Sequence, residues 1–212
     1  MPSSALSAKD RLLSSVDQGL KTILGAHAAA TLPQADKDLE PLSPESARLS
    51  GALMRVNHVG EICAQALYQS QSLFSRSATL CAHFEHAAKE ERDHLAWTSQ
   101  RVAELGTHTS YLAPLWYGGA FAIGTLAGLA GDKISLSFVV ETERQVEQHL
   151  ASHLDHLPAE DARSRQIVER MKADEARHAQ EAQLAGGARL PAPIAGLMRL
   201  AARLMTRTAH YI

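Results

Sequence analysis

Thiols are scarce: Cys63 and Cys81 are the only cysteines in 212 residues, and they lack the paired spacing of a zinc site. Two cysteines form no disulfide framework, so a reducing, cytoplasmic setting is expected. Aromatic residues make up 5% of the chain, too few for a basic surface that stacks nucleobases. Neither sign of charge dominates, with 21 Lys and Arg against 23 Asp and Glu, so no global field draws a polyanion. Nucleic acid is therefore not an expected partner. The Val/Ile/Thr alternation of a strand is missing, as is a Gly-x-Gly-x-x-Gly turn after one, which removes a bound nicotinamide or flavin. From Met1 to Ala30, Lys9, Asp10, Arg11, Asp17 and Lys21 interrupt any apolar run long enough for a signal-peptide core. The protein is expected to stay on the side where it is made.

Proline and glycine cluster at a few places, Pro33, Pro41 and Pro44, Gly106 to Pro114, Leu157-Pro158, and Gly186 to Pro193, with long proline-free stretches between them. The stretches between them predict helices over roughly 45–75, 78–105, 132–156 and 161–185, and an all-α class. Ser43 or Ser46 caps the first and Asp161 or Ser164 the fourth. Three further segments flank this core. Leu6 to Leu24 is amphipathic, within an N-terminal extension over 1–44. Residues 105–131 carry no formal charge, and Leu112 to Ala130 holds Leu115, Trp116, Tyr117, Phe121, Ile123, Leu126 and Leu129, which suits a membrane. The C-terminal helix, over 193–212, alternates Leu197, Met198, Leu200 and Leu204 with Arg199, Arg203 and Arg207, which suits an anionic interface or a packed solvated helix. The length fits one domain over 1–212.

Two segments resemble each other, Glu90-Glu91-Arg92-Asp93-His94 and Asp174-Glu175-Ala176-Arg177-His178, and both contain Glu-x-x-His. Residues three apart on a helix lie one turn apart on one face, so a carboxylate and an imidazole at that spacing reach one metal ion. Glu91 falls on the apolar stripe Cys81, Phe84, Ala88, Leu95, Thr98, Val102, Leu105; Glu175 and His178 fall on the stripe Ile167, Met171, Ala182, Ala185. A buried carboxylate without a partner costs several kcal/mol, so acids on these stripes call for a counter-ion. Glu90, Arg92 and Asp93 fit a solvated charge run instead.

A di-metal bundle takes one more glutamate from each of two other helices. The stripe Leu136, Val139/Val140, Val146, Leu150, Leu154, Leu157 singles out Glu143, with Glu147 second and Glu141 on the solvent side. In the first helix, after its start at Glu45, the acid is Glu61. Glu61 and Glu91 are 30 residues apart and Glu143 and Glu175 32, an internal repeat in pattern. Four carboxylates and two imidazoles without thiolate suit iron or manganese rather than structural zinc. Glu91 and Glu175 would bridge two ions, with Glu61 and His94 completing one and Glu143 and His178 the other. His58 and His149 remain as supporting groups, proton donors or core histidines.

With these residues in place, the chain resembles the demethoxyubiquinone hydroxylases, or 3-demethoxyubiquinol 3-hydroxylases, of ubiquinone biosynthesis. The likeness runs from about Arg11 to Ile212. It is carried by Arg55-Val56-Asn57-His58-Val59-Gly60-Glu61, Glu91-Arg92-Asp93-His94-Leu95, the apolar stretch from Leu115-Trp116-Tyr117-Gly118 to Gly131-Asp132, and Asp174-Glu175-Ala176-Arg177-His178. The resemblance implies a ferritin-like four-helix bundle with two iron ions per chain held by Glu61, Glu91, His94, Glu143, Glu175 and His178. It implies a monooxygenase that hydroxylates a polyprenyl quinol with dioxygen, peripheral to the cytoplasmic side of the cell inner membrane. Electrons come from an external donor or from the quinol, and a homo-oligomer or biosynthetic complex is a further expectation.

If Leu112 to Ala130 spanned a bilayer, the third and fourth helices would lie across it from the first two and the six ligands could not meet. The segment is therefore expected to return to the same side. Its 19 residues cover about 28 Å as a helix, the length of a crossover between the second and third helices. In the membrane interface it would admit a prenyl tail, with Trp116 and Tyr117 at headgroup level. Two other readings use the same residues: a soluble ferritin-like oxidase or iron-handling protein, and a non-enzymatic membrane scaffold whose carboxylates are held by arginines.

Overall fold

The structure, a computed structural model, describes residues 8–25, 29 and 41–212. Most of the stretch from 25 to 43, and Leu6 at the start of the first amphipathic segment, lie outside the described residues. Seven α-helices occur among those described: α1 Ala8–Leu24, α2 Pro44–Phe74, α3 Ala78–Glu104, α4 Ala113–Leu129, α5 Asp132–His156, α6 Ala162–Leu184 and α7 Ala192–Tyr211. The class is all-α, and the four core helices fall within a residue or so of their predicted bounds.

Local chemistry sets these bounds. Of the two caps considered for α2, Ser43 serves, its hydroxyl accepting from the Ser46 N–H at 3.1 Å, with Pro44 in the first turn. Asp161 caps α6 in the same way, accepting from the Ser164 N–H at 2.9 Å. Gly106 and Gly186 take positive φ (67° and 114°) just past the ends of α3 and α6, a conformation that favours a residue without Cβ.

Three residues join α2 to α3, so the two run antiparallel, and Leu157–Asp161 does the same for α5 and α6. The hairpins pack on each other through α3 against α6 and α2 against α5. Gln71 in α2 donates to the Ser135 carbonyl (2.9 Å) and hydroxyl (2.8 Å) in α5, and buried Arg101 in α3 donates to Asp161 (2.7 Å) and Ser164 (2.9 Å) at the start of α6.

The apolar core is split in two. One end holds Leu53, Met54, Trp97, Val102, Leu150, Ile167 and Met171. The other holds Tyr68, Leu80, Phe84, Leu136, Val139, Val140 and Ala182. On every helix the predicted ligands lie in sequence between these two sets, so the bundle has a polar layer between apolar ends.

The long crossover is α4, packed lengthwise on α2. It approaches closely because its inner face is small: Ala113, Ala120, Gly124, Ala127 and Gly128 are buried. A Cβ on Gly124 would meet the Leu67 carbonyl oxygen at 3.0 Å and clash with the Ser70 hydroxyl. The larger side chains face outward, with Leu115 63%, Leu126 68% and Leu129 56% exposed. Both hairpins thus stand on one side of α4, as the ligand geometry required. Among the described residues no helix is long and apolar enough to cross a membrane. Helix α7 leans on α2 and α5 through Ala195 and Ala209 and leaves Leu197, Leu200 and Leu204 more than 60% exposed beside its arginines.

Glu141, expected on the solvent side, is largely covered. Its Oε1 accepts from Gln145 (2.7 Å) and from Arg199 (3.4 Å), because α7 lies over that face of α5. An apolar-stripe argument within α5 has no knowledge of α7.

Candidate metal centre

Glu61 comes from α2, Glu91 and His94 from α3, Glu143 from α5, and Glu175 and His178 from α6, and none is more than 3% exposed. Helical spacing puts each acid–imidazole pair of α3 and α6 on one inward face, one turn apart. One donor atom from each of Glu61, Glu91, His94 and Glu175 lies within 4.8 Å of the others. His178 joins the group through its Nδ1, which is 3.0 Å from Glu91 Oε1 and 3.5 Å from Glu175 Oε2. Glu143 lies against Glu175, and its Oε1 accepts a 2.5 Å hydrogen bond from the Tyr68 hydroxyl.

Within this group Glu91 and Glu175 straddle the two imidazoles. Glu91 turns Oε2 to His94 Nδ1 (3.1 Å) and Oε1 to His178 Nδ1 (3.0 Å). Glu175 turns Oε1 to His94 (3.4 Å) and Oε2 to His178 (3.5 Å). One oxygen toward each imidazole is the placement that a bridging carboxylate needs. Glu61 stands beside His94, its Oε2 3.6 Å from Nδ1, while Glu143 feels Glu175, Glu91 and His178. The buried acids thus gather around two imidazoles, His94 and His178.

The approaches are close, yet several of these atoms make no hydrogen bond: Glu61 Oε2, Glu91 Oε1, Glu175 Oε2 and His178 Nδ1. Buried polar atoms left in that condition cost about 1–3 kcal/mol each. Their lone pairs point into a shared space, which a cation fits better than further side-chain contacts do. Four carboxylates supply negative charge that divalent cations would neutralise, and the oxygen and nitrogen donors suit iron or manganese.

Proton affinities show the same tension. Burial pushes the carboxyls of Glu61 and Glu143 well above the usual range, and neighbouring carboxylates push them further. Burial also favours a protonated Glu91, but the attraction of His94 and His178 outweighs it and holds this carboxyl well below its ordinary value. Burial opposes charge on both histidines, but the surrounding acids prevail, raising His94 well above its ordinary value and His178 to about 12. Protons and divalent cations thus compete for the same lone pairs.

The far nitrogens of both imidazoles are held by a second pair of acids. His94 Nε2 faces Asp174 Oδ2 at 3.2 Å, and His178 Nε2 faces Glu90 Oε2 at 2.9 Å. The arrangement is crosswise: the acid preceding the glutamate of each Glu-x-x-His fixes the histidine of the other. With Nε2–H donating outward, Nδ1 keeps its lone pair for the centre. Glu90 is therefore not part of a solvated charge run, and the repeated acid one residue before each motif glutamate was the signal available for it. Arg177 clamps Glu90 at 3.1 and 3.3 Å and also reaches Asp174 and Glu181, while Arg170 pairs with Asp174 at 3.0 Å. These arginines serve the outer acids, and the charged partners of the inner carboxylates are the imidazoles. A scaffold with arginine-held inner carboxylates does not match this arrangement.

Glu147 is half-buried and absent from the group, and His149 packs on His153 with ring centroids 4.0 Å apart. His58 is buried one turn before Glu61.

Residues 48–209 match the family model of the ubiquinone biosynthesis protein COQ7. The chain is 57% identical over 211 residues to the 3-demethoxyubiquinol 3-hydroxylase of Methylibium petroleiphilum, covering 98% of this chain and 99% of that protein. It is 56% identical to the protein of the same name from Polaromonas sp. (97% and 99% covered) and 54% identical to that of Cupriavidus metallidurans (96% and 100%). Among solved structures it is similar in fold to the dodecameric thioferritin, a bacterioferritin-related protein, of Bacteroides fragilis. The TM-score is 0.54 at 19% identity, covering 67% of this chain and 84% of that one, a likeness of ferritin-like fold alone.

Because Glu90 orients the His178 imidazole only through the far side of its ring, Glu90→Ala is expected to weaken ferrous-ion binding by about 10–100-fold with helix content unchanged. Competition with a chromogenic chelator and circular dichroism measure the two quantities. Glu147→Ala should leave the affinity at its wild-type value.

Proposed function

The chain belongs to the family of the ubiquinone biosynthesis protein COQ7, and from that premise we propose that its buried Glu/His centre holds two iron ions. It acts as a 3-demethoxyubiquinol 3-hydroxylase in ubiquinone biosynthesis. The observation that carries the assignment of the centre is the pair of straddling carboxylates, Glu91 and Glu175, each with one oxygen toward each inward imidazole nitrogen. Glu91 and Glu175 would serve both ions, with Glu61 and His94 holding one and Glu143 and His178 the other.

Iron bound there supplies the redox chemistry that cleaves dioxygen. In the overall reaction one oxygen atom enters a ring C–H bond as C–OH and the other leaves as water. Two electrons and two protons balance it, from an external donor or from the quinol itself. The protein's part is placement and exclusion of water. Glu90 and Asp174 hold the imidazoles in the tautomer that presents Nδ1 inward. The apolar ends of the bundle keep bulk water from the polar layer, and the Tyr68 hydroxyl holds one oxygen of Glu143 while leaving the other for the ion.

A polyprenyl quinol resides in a bilayer, and the outer surface of the chain suits a meeting there. Leu126 and Leu129 on α4 and Leu197, Leu200 and Leu204 on α7 are exposed, with Arg199, Arg203 and Arg207 beside the latter. Residues 1–212 work as one unit, peripheral to the cytoplasmic face of the inner membrane, with α4 and α7 at the interface.

Cells lacking the protein are expected to accumulate the demethoxy precursor and little ubiquinone, as read by liquid chromatography of extracted quinones. A normal quinone profile in such cells contradicts the activity and leaves an iron-handling role. Leu126→Asp with Leu129→Asp should move the protein from the membrane pellet to the supernatant with its iron content intact. Loss of iron in that variant instead assigns α4 to the core.

A further inference from the structure

The C-terminal half of α5 carries three histidines on one face, His149, His153 and His156, spaced by four residues and then by three. His149 stands six residues beyond Glu143, about 9 Å further along the helix, so the group is set apart from the Glu/His centre. None of the three belongs to that centre.

His149 and His153 form the inner pair. Their ring centroids lie 4.0 Å apart with the rings tilted by 59°. His153 is 6% exposed and His149 is half-buried, yet among the described residues neither His149 Nε2 nor His153 Nδ1 has a hydrogen-bond partner. A buried nitrogen has given up water, and without a partner that loss is uncompensated. Two such nitrogens on adjacent rings call for a shared guest.

The proton is a poor guest there. Burial lowers the proton affinity of both rings, and at His153 the neighbouring imidazoles of His149, His156 and His210 lower it further, to about 3. Both rings are therefore neutral at neutral pH, the state in which imidazole gives a lone pair to a metal. Imidazole suits zinc, copper and nickel, and ferrous iron stands low in the affinity order at such donors. An ion bound at about 2.0–2.1 Å from an imidazole nitrogen reaches both rings at this separation after a small turn of either. Exposed His156 lies one turn closer to the end of the helix. Its Nδ1 donates to the Ser152 carbonyl at 2.6 Å, which leaves the lone pair on Nε2 for an arriving ion.

We propose that His149 and His153 form a second metal site, for a zinc-like divalent ion, with His156 as the imidazole that the ion meets first. The site is separate from the Glu/His centre and does not depend on what that centre binds. His210, at the C-terminal end of α7, stands close enough to act on the charge of His153, so the ion sits where α5 and α7 meet.

Zinc binding to the full chain, loaded with ferrous iron beforehand, tests this. After dialysis against micromolar zinc, zinc and iron per chain are measured together by plasma mass spectrometry. The wild type is expected to hold one zinc more than His149→Gln and one more than His153→Gln, with iron and helix content alike in all three. His86→Gln, at an exposed position of α3, should match the wild type. Zinc that enters the Glu/His centre is common to every variant, so the difference reads the pair alone even in a chain whose centre takes no iron. Equal zinc in the wild type and in either folded variant overturns the site. Should a substitution cost the chain its helix content, the imidazole resonances of the wild type decide. Those of His149 and His153 must both shift on adding zinc, and unshifted resonances overturn the site as well.

Discussion

Four carboxylates brought out of water into one layer of a helical bundle is the constraint on which the rest of this structure depends. Each buried carboxylate carries a desolvation cost, and each raises the cost of its neighbours. Two imidazoles offset part of this, as the low proton affinity of Glu91 and the high affinities of His94 and His178 record. They do not offset all of it, because four converging donor atoms remain without hydrogen bonds. Donors in that condition fit a bound cation, and the architecture makes the layer possible: apolar packing at both ends fixes the helices, so the polar middle is held in place from outside.

The two hairpins are coupled through this layer as well as through the apolar clusters at both ends. Asp174 holds His94 and Glu90 holds His178, so neither Glu-x-x-His segment is correctly oriented without the other. Arg177 joins Glu90 and Asp174 over the top of the crossed pair. A change in the packing of α3 on α6 therefore reaches both imidazoles at once, which links fold stability to the geometry of the centre. Helix α4 makes the arrangement compatible with a lipid-borne substrate. Its glycine and alanine face permits close contact with α2, and its large side chains are left for the outside.

Much of this was legible in the chain because helical periodicity is a local signal. Glu91, Glu143 and Glu175 interrupt apolar stripes, Glu61 is the acid available in its helix, and the repeat of Glu-x-x-His fixes the histidines. The helix bounds followed from proline, glycine and capping residues. The return of α4 to the same side followed from requiring that the ligands meet. Contacts between elements distant in sequence were not legible. Glu90 read as a surface charge because its partner His178 lies 88 residues away, and Glu141 read as solvent-facing because Arg199 lies 58 residues away. Tyr68 gave no signal at all in α2, since its significance comes from Glu143 on another helix. Such roles depend on which face of one helix meets which face of the next, and the period of a single helix does not carry that information.

The most direct test of the account is the iron stoichiometry of the intact chain after anaerobic reconstitution with ferrous ion, read by metal analysis and by Mössbauer spectroscopy. The account predicts two iron ions per chain in two nitrogen- and oxygen-ligated sites that become spin-coupled on oxidation. Well under one iron per chain, or isolated uncoupled ions, would contradict it.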